Sequence, residues 1–226
     1  MIKQNIKVAV DAVVFGYHQQ ELQILLIKRK IPPFQGQWAL PGGFVLDSED
    51  LETAVRRELS EETGISLNYL EQLYSYGDTE RDPRFRVVSI TYYAFVGPNQ
   101  FATKASSDAE KSAWFNYKDL PSLAFDHQKI IAYALQRLQA KLSYEPIGFD
   151  LLPKKFLFSE LEKLYATVLT RPLDRRNFRK KMLSFDILEE LKEKKSEGPG
   201  RPASLYKFNK ARYFHLKRKG FYFEIH

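Results

Sequence analysis

Residues 43–65 read GFVLDSEDLETAVRRELSEETGI. Gly43, Glu49, Arg57, Glu58, Glu61, Glu62 and Gly64, with apolar Leu59 and Ile65, follow the spacing G-x5-E-x7-R-E-apolar-x-E-E-x-G-apolar without a gap. At ordinary residue usage the chance of such a match at one starting point is on the order of 10⁻⁹. The stretch from Glu49 to Thr63 has neither Pro nor Gly, and Leu51, Ala54, Val55, Leu59 and Glu62 recur at helical spacing. A helix is therefore expected, with Ser48 as its N-cap and Gly64 as the left-handed residue beyond its last turn. Glu58, Glu61 and Glu62 then stand at i, i+3 and i+4 on one face. Three carboxylates that close repel one another unless solvated or held around a divalent cation. Mg²⁺ suits such oxygen donors and shares its shell with phosphates, so cleavage or capture of a diphosphate is the chemistry implied.

Upstream, Trp38-Ala-Leu-Pro41-Gly42-Gly43 brings a strand into a tight loop, where two glycines let backbone N–H groups approach a phosphate or a metal-bound water. A lone E-x-x-E-E usually decorates a solvated helix; the glycine loop and the full spacing argue against that here. Around this centre, 6–15 and 22–29 are rich in β-branched and aliphatic residues and flank a polar turn, Tyr17 to Glu21, as a hairpin would. Further strands are expected at 69–77, 85–97 and 113–117, with Arg81-Asp82-Pro83-Arg84 in a loop. Asp126 is placed to cap a helix striped by Ile130, Ile131, Ala134, Leu135, Leu138 and Leu142. That alternation suits an α/β/α sandwich.

The net charge of +7 is informative once divided. Residues 1–141 carry 16 Lys+Arg against 17 Asp+Glu, and residues 142–226 carry 19 against 11, so the basic excess lies entirely in the last third. Such asymmetry points that third at nucleic acid or another anionic surface. The absence of cysteine excludes disulfides and thiolate chemistry and is compatible with a cytoplasmic location. No apolar run approaches a membrane span, and Met1-Ile-Lys-Gln-Asn leads straight into a strand pattern without a signal sequence.

Pro and Gly break helical periodicity at Ser143–Gly148, which sets domains at 1–145 and 150–226. Ser159-Glu-Leu-Glu162 reads as a capping box, opening a helix with Leu161, Leu164, Tyr165, Val168 and Leu169 inward. After Thr170-Arg-Pro172-Leu173, Asp174 caps a second helix in which Phe178 and Met182 face inward and Arg175, Arg176, Arg179 and Lys180 face out. Two short helices about a tight turn, the second basic, followed by Phe185–Lys194, a Gly/Pro turn and Ser204–Phe208, describe a winged helix-turn-helix. A solvated surface helix is the alternative. Six basic residues between Arg171 and Lys181 opposed only by Asp174 disfavour it.

The spacing at 43–65 resembles the Nudix box, the diphosphate- and metal-binding signature of the Nudix hydrolases. Joined with the loop at 81–84, Leu123–His127, Leu173–Met182 and Gly200-Arg-Pro-Ala-Ser-Leu-Tyr206, it resembles the NrtR-like transcriptional regulators across almost the whole chain. The resemblance implies an α/β protein: an N-terminal Nudix α/β/α sandwich with a smaller C-terminal winged helix-turn-helix domain. It implies Glu58, Glu61 and Glu62 as metal or catalytic residues with Mg²⁺, Arg57 and Glu49 as their supports, and Glu110 as a further acid, Asp108 being almost as well placed. Arg29, Phe34, Trp38, Gly42, Gly43, Arg81 and Arg84 are the effector-binding candidates. His127 stands in a helix's first turn, where histidines more often pack than bind. Arg171, Arg175, Arg176, Asn177, Arg179, Lys180 and Arg201 are the DNA-binding candidates. The implied protein is a homodimeric, ligand-responsive repressor on a double-stranded operator, controlling sugar-utilisation or NAD-metabolism genes, with L-arabinose or ADP-ribose as effector. Because every box residue is kept, an active Mg²⁺-dependent pyrophosphatase acting on ADP-ribose or a related nucleoside diphosphate derivative is the alternative.

Overall fold

A computed structural model describes residues 5–67, 69–97, 112–196 and 202–225. Contacts divide the chain into two compact units, Met1–Gly16 with Leu22–Gln136, and Tyr17–Glu21 with Arg137–His226. The division falls inside a helix, upstream of the Ser143–Gly148 interruption.

The first unit is built on β1 (Lys7–His18), which runs parallel to β6 (Val87–Val96) from Lys7↔Val87 to Gly16↔Val96. β2 (Glu21–Lys28) lies beside β1, and β3 (Trp38–Ala39) and β7 (Ser112–Asn116) pair antiparallel with β2. β4 (Gly42–Phe44) pairs with β1, and β5 (Leu70–Tyr76) with β6. The turn between β1 and β2 has Gln19 and Gln20 both at positive φ, 49° and 66°. That is the twist a two-residue hairpin needs, reached without the usual Asn-Gly.

Alternation along β1 sets the layers. Val10, Ala12 and Val14 share a core with Ala54, Val55 and Leu59 of α1 (Leu51–Thr63). Asp11, on the opposite face, reaches His127 at the start of α2 (His127–Tyr144), whose apolar stripe is buried as expected. The sheet is therefore sandwiched between helices. The N-cap of α1 is Asp50, which accepts from Thr53 N–H at 2.7 Å, and not the expected Ser48. Residues 46–49 are taken up in a turn, with Glu49 N–H on Leu46 O and Leu46 N–H on the Glu49 carboxylate, so the helix starts later. Gly64 ends it at φ 68° as expected.

In the second unit, β8 (Phe156–Leu157), β10 (Ala203–Phe208) and β9 (Leu188–Lys195) form an antiparallel sheet in the order β8-β10-β9. α3 (Phe158–Leu169) and α4 (Arg175–Ser184) pack with it through Leu161, Leu164, Tyr165, Val168, Phe178 and Met182, all buried. The expected box at Ser159 and Glu162 is displaced by two residues. Leu157 is the cap position, and Glu160 reaches back to Leu157 N–H at 2.7 Å. Leucine has no oxygen to return the bond, so only half of the reciprocal pair exists. Asp174 caps α4 as expected, accepting from Asn177 N–H at 3.1 Å. Helix α5 (Lys210–Arg218) follows the wing, and Phe223 and Ile225 of the tail are buried, with Ile225 N–H on Ser143 O.

Gly42 is where strand pairing tolerates no side chain. A Cβ there would stand 2.1 Å from Val10 O and 2.9 Å from the Asp11 carboxylate. Gly42→Ala is expected to cost about 1–3 kcal/mol, the range for forced overpacking, read as a lower urea midpoint at unchanged m-value.

Candidate functional site

Box-helix chemistry is ordered by Arg57. Its guanidinium grips Glu49 through Nε at 3.0 Å and Nη2 at 2.7 Å, and also donates to Phe44 O. The same side chain reaches Glu58 at 2.7 Å and Glu61 at 3.2 Å. Bidentate donation from Arg57, together with Leu46 N–H, holds the Glu49 carboxyl down to about 2. Glu62 lies apart. It accepts from Gly42 N–H at 2.9 Å, yet burial, aided by nearby Glu58 and Asp11, pushes its carboxyl up to about 8. Gly43 is what lets Glu58 in: a Cβ there would be 2.2 Å from a Glu58 oxygen.

The three box glutamates therefore do not stand as a free cluster, because Arg57 occupies the space between two of them. Among the described residues no three His, Cys, Asp or Glu side chains are grouped to hold an ion. The donor chemistry nonetheless fits a hard cation: every donor is a carboxyl oxygen, and a divalent charge beside half-buried Glu62 would favour the ionised form that burial, Glu58 and Asp11 disfavour. Glu58, Glu61 and Glu62 are the residues that would hold Mg²⁺. Once bound, the ion supplies charge neutralisation for a diphosphate.

Glu61 and Glu62 line a cleft of about 560 Å³. Gly42, Gly43 and Phe44 line it too, with Arg81, Asp82, Arg84 and Val87 and with Arg29, Ile31, Phe125 and His127. Five of the seven effector candidates are thus brought together: Arg29, Gly42, Gly43, Arg81 and Arg84. Phe34 and Trp38 are not among the lining residues; Phe34 packs edge-on against Phe125 and Trp38 against Phe115. The phenyl rings lining the cleft are those of Phe44 and Phe125, each with an arginine stacked on it. Arg84 lies 5.4 Å from the Phe44 centroid and Arg29 4.7 Å from that of Phe125.

The arginines are less available than their positions in sequence suggest. Arg84 is bidentate on Asp82, at 3.0 and 2.7 Å. Arg29 donates to Pro33 O and Ile31 O, and burial with the nearby Arg84 charge lowers its pKa. Arg81 is buried and bidentate on Asp126, at 3.1 and 2.7 Å, with Asp11 at 3.5 Å. His127 is buried too. Its Nδ1 accepts from Leu40 N–H at 2.9 Å and its Nε2 faces Asp11 at 3.5 Å. Burial pushes its pKa down, so the ring is neutral with its proton on Nε2. Asp11 and Asp126 did not emerge as site residues from the sequence. An aspartate at position 11, inside an apolar strand run, was the available signal.

On the second unit, Arg171, Arg175, Arg176 and Lys180 are exposed. Asn177 is exposed but turned back, its Nδ2 donating to Asp174 at 2.8 Å. Arg179 is exposed as well, and it also makes contacts within the unit. Its guanidinium lies 4.3 Å over the Phe158 ring and donates to the Tyr206 hydroxyl at 3.0 Å, tying α4 to α3 and to strand β10. Glu110, Asp108 and Arg201 lie outside the described residues.

A profile for the Nudix domain matches residues 5–137, and one for the NrtR DNA-binding winged helix domain matches residues 148–208. The chain belongs to the NrtR-like family. It is 37% identical over 203 residues to the ADPR responsive transcriptional repressor NtrR of Acinetobacter baylyi, covering 88% of this chain and 80% of that one. The crystal structure of Shewanella oneidensis NrtR complexed with a 27mer DNA superposes with a TM-score of 0.80 at 35% identity, over 89% of this chain and 93% of that one. The Nudix region alone is 45% identical over 124 residues to the ADP-ribose pyrophosphatase of Methanocaldococcus jannaschii, covering 55% of this chain and 70% of that enzyme. Asp11, Arg81 and His127 are buried polar groups that line the Nudix cleft, and Asp126 pairs with Arg81.

If Arg179 braces the recognition helix, Arg179→Lys, which keeps the charge but loses the planar fork, should cost about 1 kcal/mol of winged-helix stability. Affinity for specific and random duplex should fall together. Unchanged melting with a loss confined to the specific site would make Arg179 a base reader instead.

Proposed function

We propose that this chain is a DNA-binding repressor released from its operator by ADP-ribose, held in the Nudix cleft. The observation that carries the reading is the union, in one chain, of a diphosphate-type cleft with a capped, basic winged helix that holds the whole positive excess. The similarity to an ADPR responsive repressor supports it. Arg175 and Arg176, exposed in the first turn of α4, are at the helix position that reads base edges. Arg171, Lys180 and Arg201 are assigned to phosphates or groove edges. Arg29, Gly42, Gly43, Arg81 and Arg84 are assigned to the effector. The regulator acts as a homodimer, since two half-sites related by a two-fold axis are the usual target of such modules. ADP-ribose arises when NAD is cleaved, which favours NAD metabolism over pentose utilisation as the regulated process.

Release requires that the ligand bind one domain arrangement more tightly than another, with coupling typically of about 1–3 kcal/mol. A second reading, a working Mg²⁺-dependent ADP-ribose pyrophosphatase, is favoured by the complete box and by the archaeal relative. The two readings separate in one experiment. A duplex enriched from random sequence is bound, then titrated with ADP-ribose and with L-arabinose, while ADP-ribose turnover is followed with Mg²⁺.

The expected result is release by ADP-ribose but not by the pentose, with slow or no turnover and with Glu62→Gln leaving DNA binding intact. Binding should weaken from about 50 to 200 mM salt at roughly −0.9 in log K per phosphate contacted. Arg175→Ala or Arg176→Ala should cost about 1–3 kcal/mol at one base position. Efficient turnover with no effect of ADP-ribose on DNA would establish the enzyme instead.

A further inference from the structure

The floor of the Nudix cleft holds a set of groups that a diphosphate does not explain. Asp11 sits mid-strand on β1, nearly buried, and lines the cleft. One oxygen, Oδ2, accepts from buried Ser89 and faces Arg81 at 3.5 Å. The other, Oδ1, has the His127 Nε2–H at 3.5 Å, beyond the usual length of a good hydrogen bond. Arg81 spends its short contacts on Asp126.

This floor therefore offers an acceptor, Asp11 Oδ1, beside a donor whose tautomer is fixed by Leu40 N–H. A phosphate oxygen only accepts, and it would be repelled here by the Asp11 carboxylate. A sugar hydroxyl both donates and accepts, so it satisfies the carboxylate and the imidazole at once. We infer that Asp11, with His127, reads the hydroxyls of the terminal sugar of a sugar linked through a nucleoside diphosphate, and so is the residue that separates ADP-ribose from ADP. The inference rests on the effector reading above and adds the subsite. Ser89 and Arg81 act on it indirectly, by fixing the carboxylate.

The test is calorimetric titration of the full chain with ADP-ribose and with ADP, for wild type and Asp11→Asn, with melting curves for both proteins. Wild type should prefer ADP-ribose by about 10-fold or more, the scale of one hydrogen bond to a charged group. In Asp11→Asn that preference should collapse, through weaker ADP-ribose binding at unchanged ADP affinity and unchanged melting. Equal losses for both ligands, or a preserved preference in a folded variant, would overturn the assignment. A ligand-side arm needs no folded variant: wild type should bind an ADP-ribose analogue lacking the terminal-ribose hydroxyls no better than ADP, and equal affinity for analogue and parent would also overturn it. Wild type that binds neither ADP-ribose nor ADP would overturn the effector reading itself, and this assignment with it.

Discussion

The first unit depends on two side chains that are not there. Strand β4 can lie against β1 only because position 42 has no Cβ to meet Val10 O, and a Cβ at position 43 would displace the Glu58 carboxyl from its place over β4. With those two absences, the box helix, the central strand and the loop between them close onto one volume. Glu62 then finds the Gly42 N–H, and Arg57 finds Phe44 O. The sandwich core supplies the cohesion, through Val10, Val14, Val55 and Leu59, but it would be satisfied by many arrangements of the loop. The glycines select this one.

Charge in this cleft is managed by pairing rather than by exposure. Arg57, Arg81 and Arg84 each hold carboxylates in short, partly or fully buried contacts. Such pairs do little for net stability, since desolvation offsets most of the attraction, but removing one partner leaves a costly buried charge. They fix geometry. The same logic runs through the second unit, where Arg179 stacks on Phe158 and bonds to Tyr206, and Asn177 bends back to the Asp174 cap. Arg175, Arg176 and Arg179 are all exposed on this basic helix, and Arg179 also ties the helix to its sheet.

Much of the architecture was legible in the sequence because it rests on local, periodic signals. The box helix, the α2 stripe, the α3 stripe and the Asp174 cap are each written in residues three and four apart. The errors also have local causes. Ser48 lost the capping role because residues 46–49 close into their own turn around Glu49, and Ser159 lost it because β8 feeds directly into α3 at Leu157. Helix α5 escaped notice because Tyr213 is its one buried side chain, which leaves no stripe to read. Strand β8 is two residues long and exists only through its pairing with β10.

The sequence by itself determined the two-part design: a 23-residue stretch with its full box spacing and a last third holding the entire basic excess. Those are statements about residue types at fixed short separations, and they survive any uncertainty in folding. Only the tertiary structure decided which groups share the cleft. Asp11 and Ser89 are 78 positions apart, and Arg81 and Asp126 are 45 apart. Strand pairing and the docking of α2 bring them within reach, and no local pattern records such pairings. It also decided that Phe44 and Phe125 line the cleft while Trp38 and Phe34 pack on Phe115 and Phe125, because the side to which an aromatic ring turns is set by the partner it packs on.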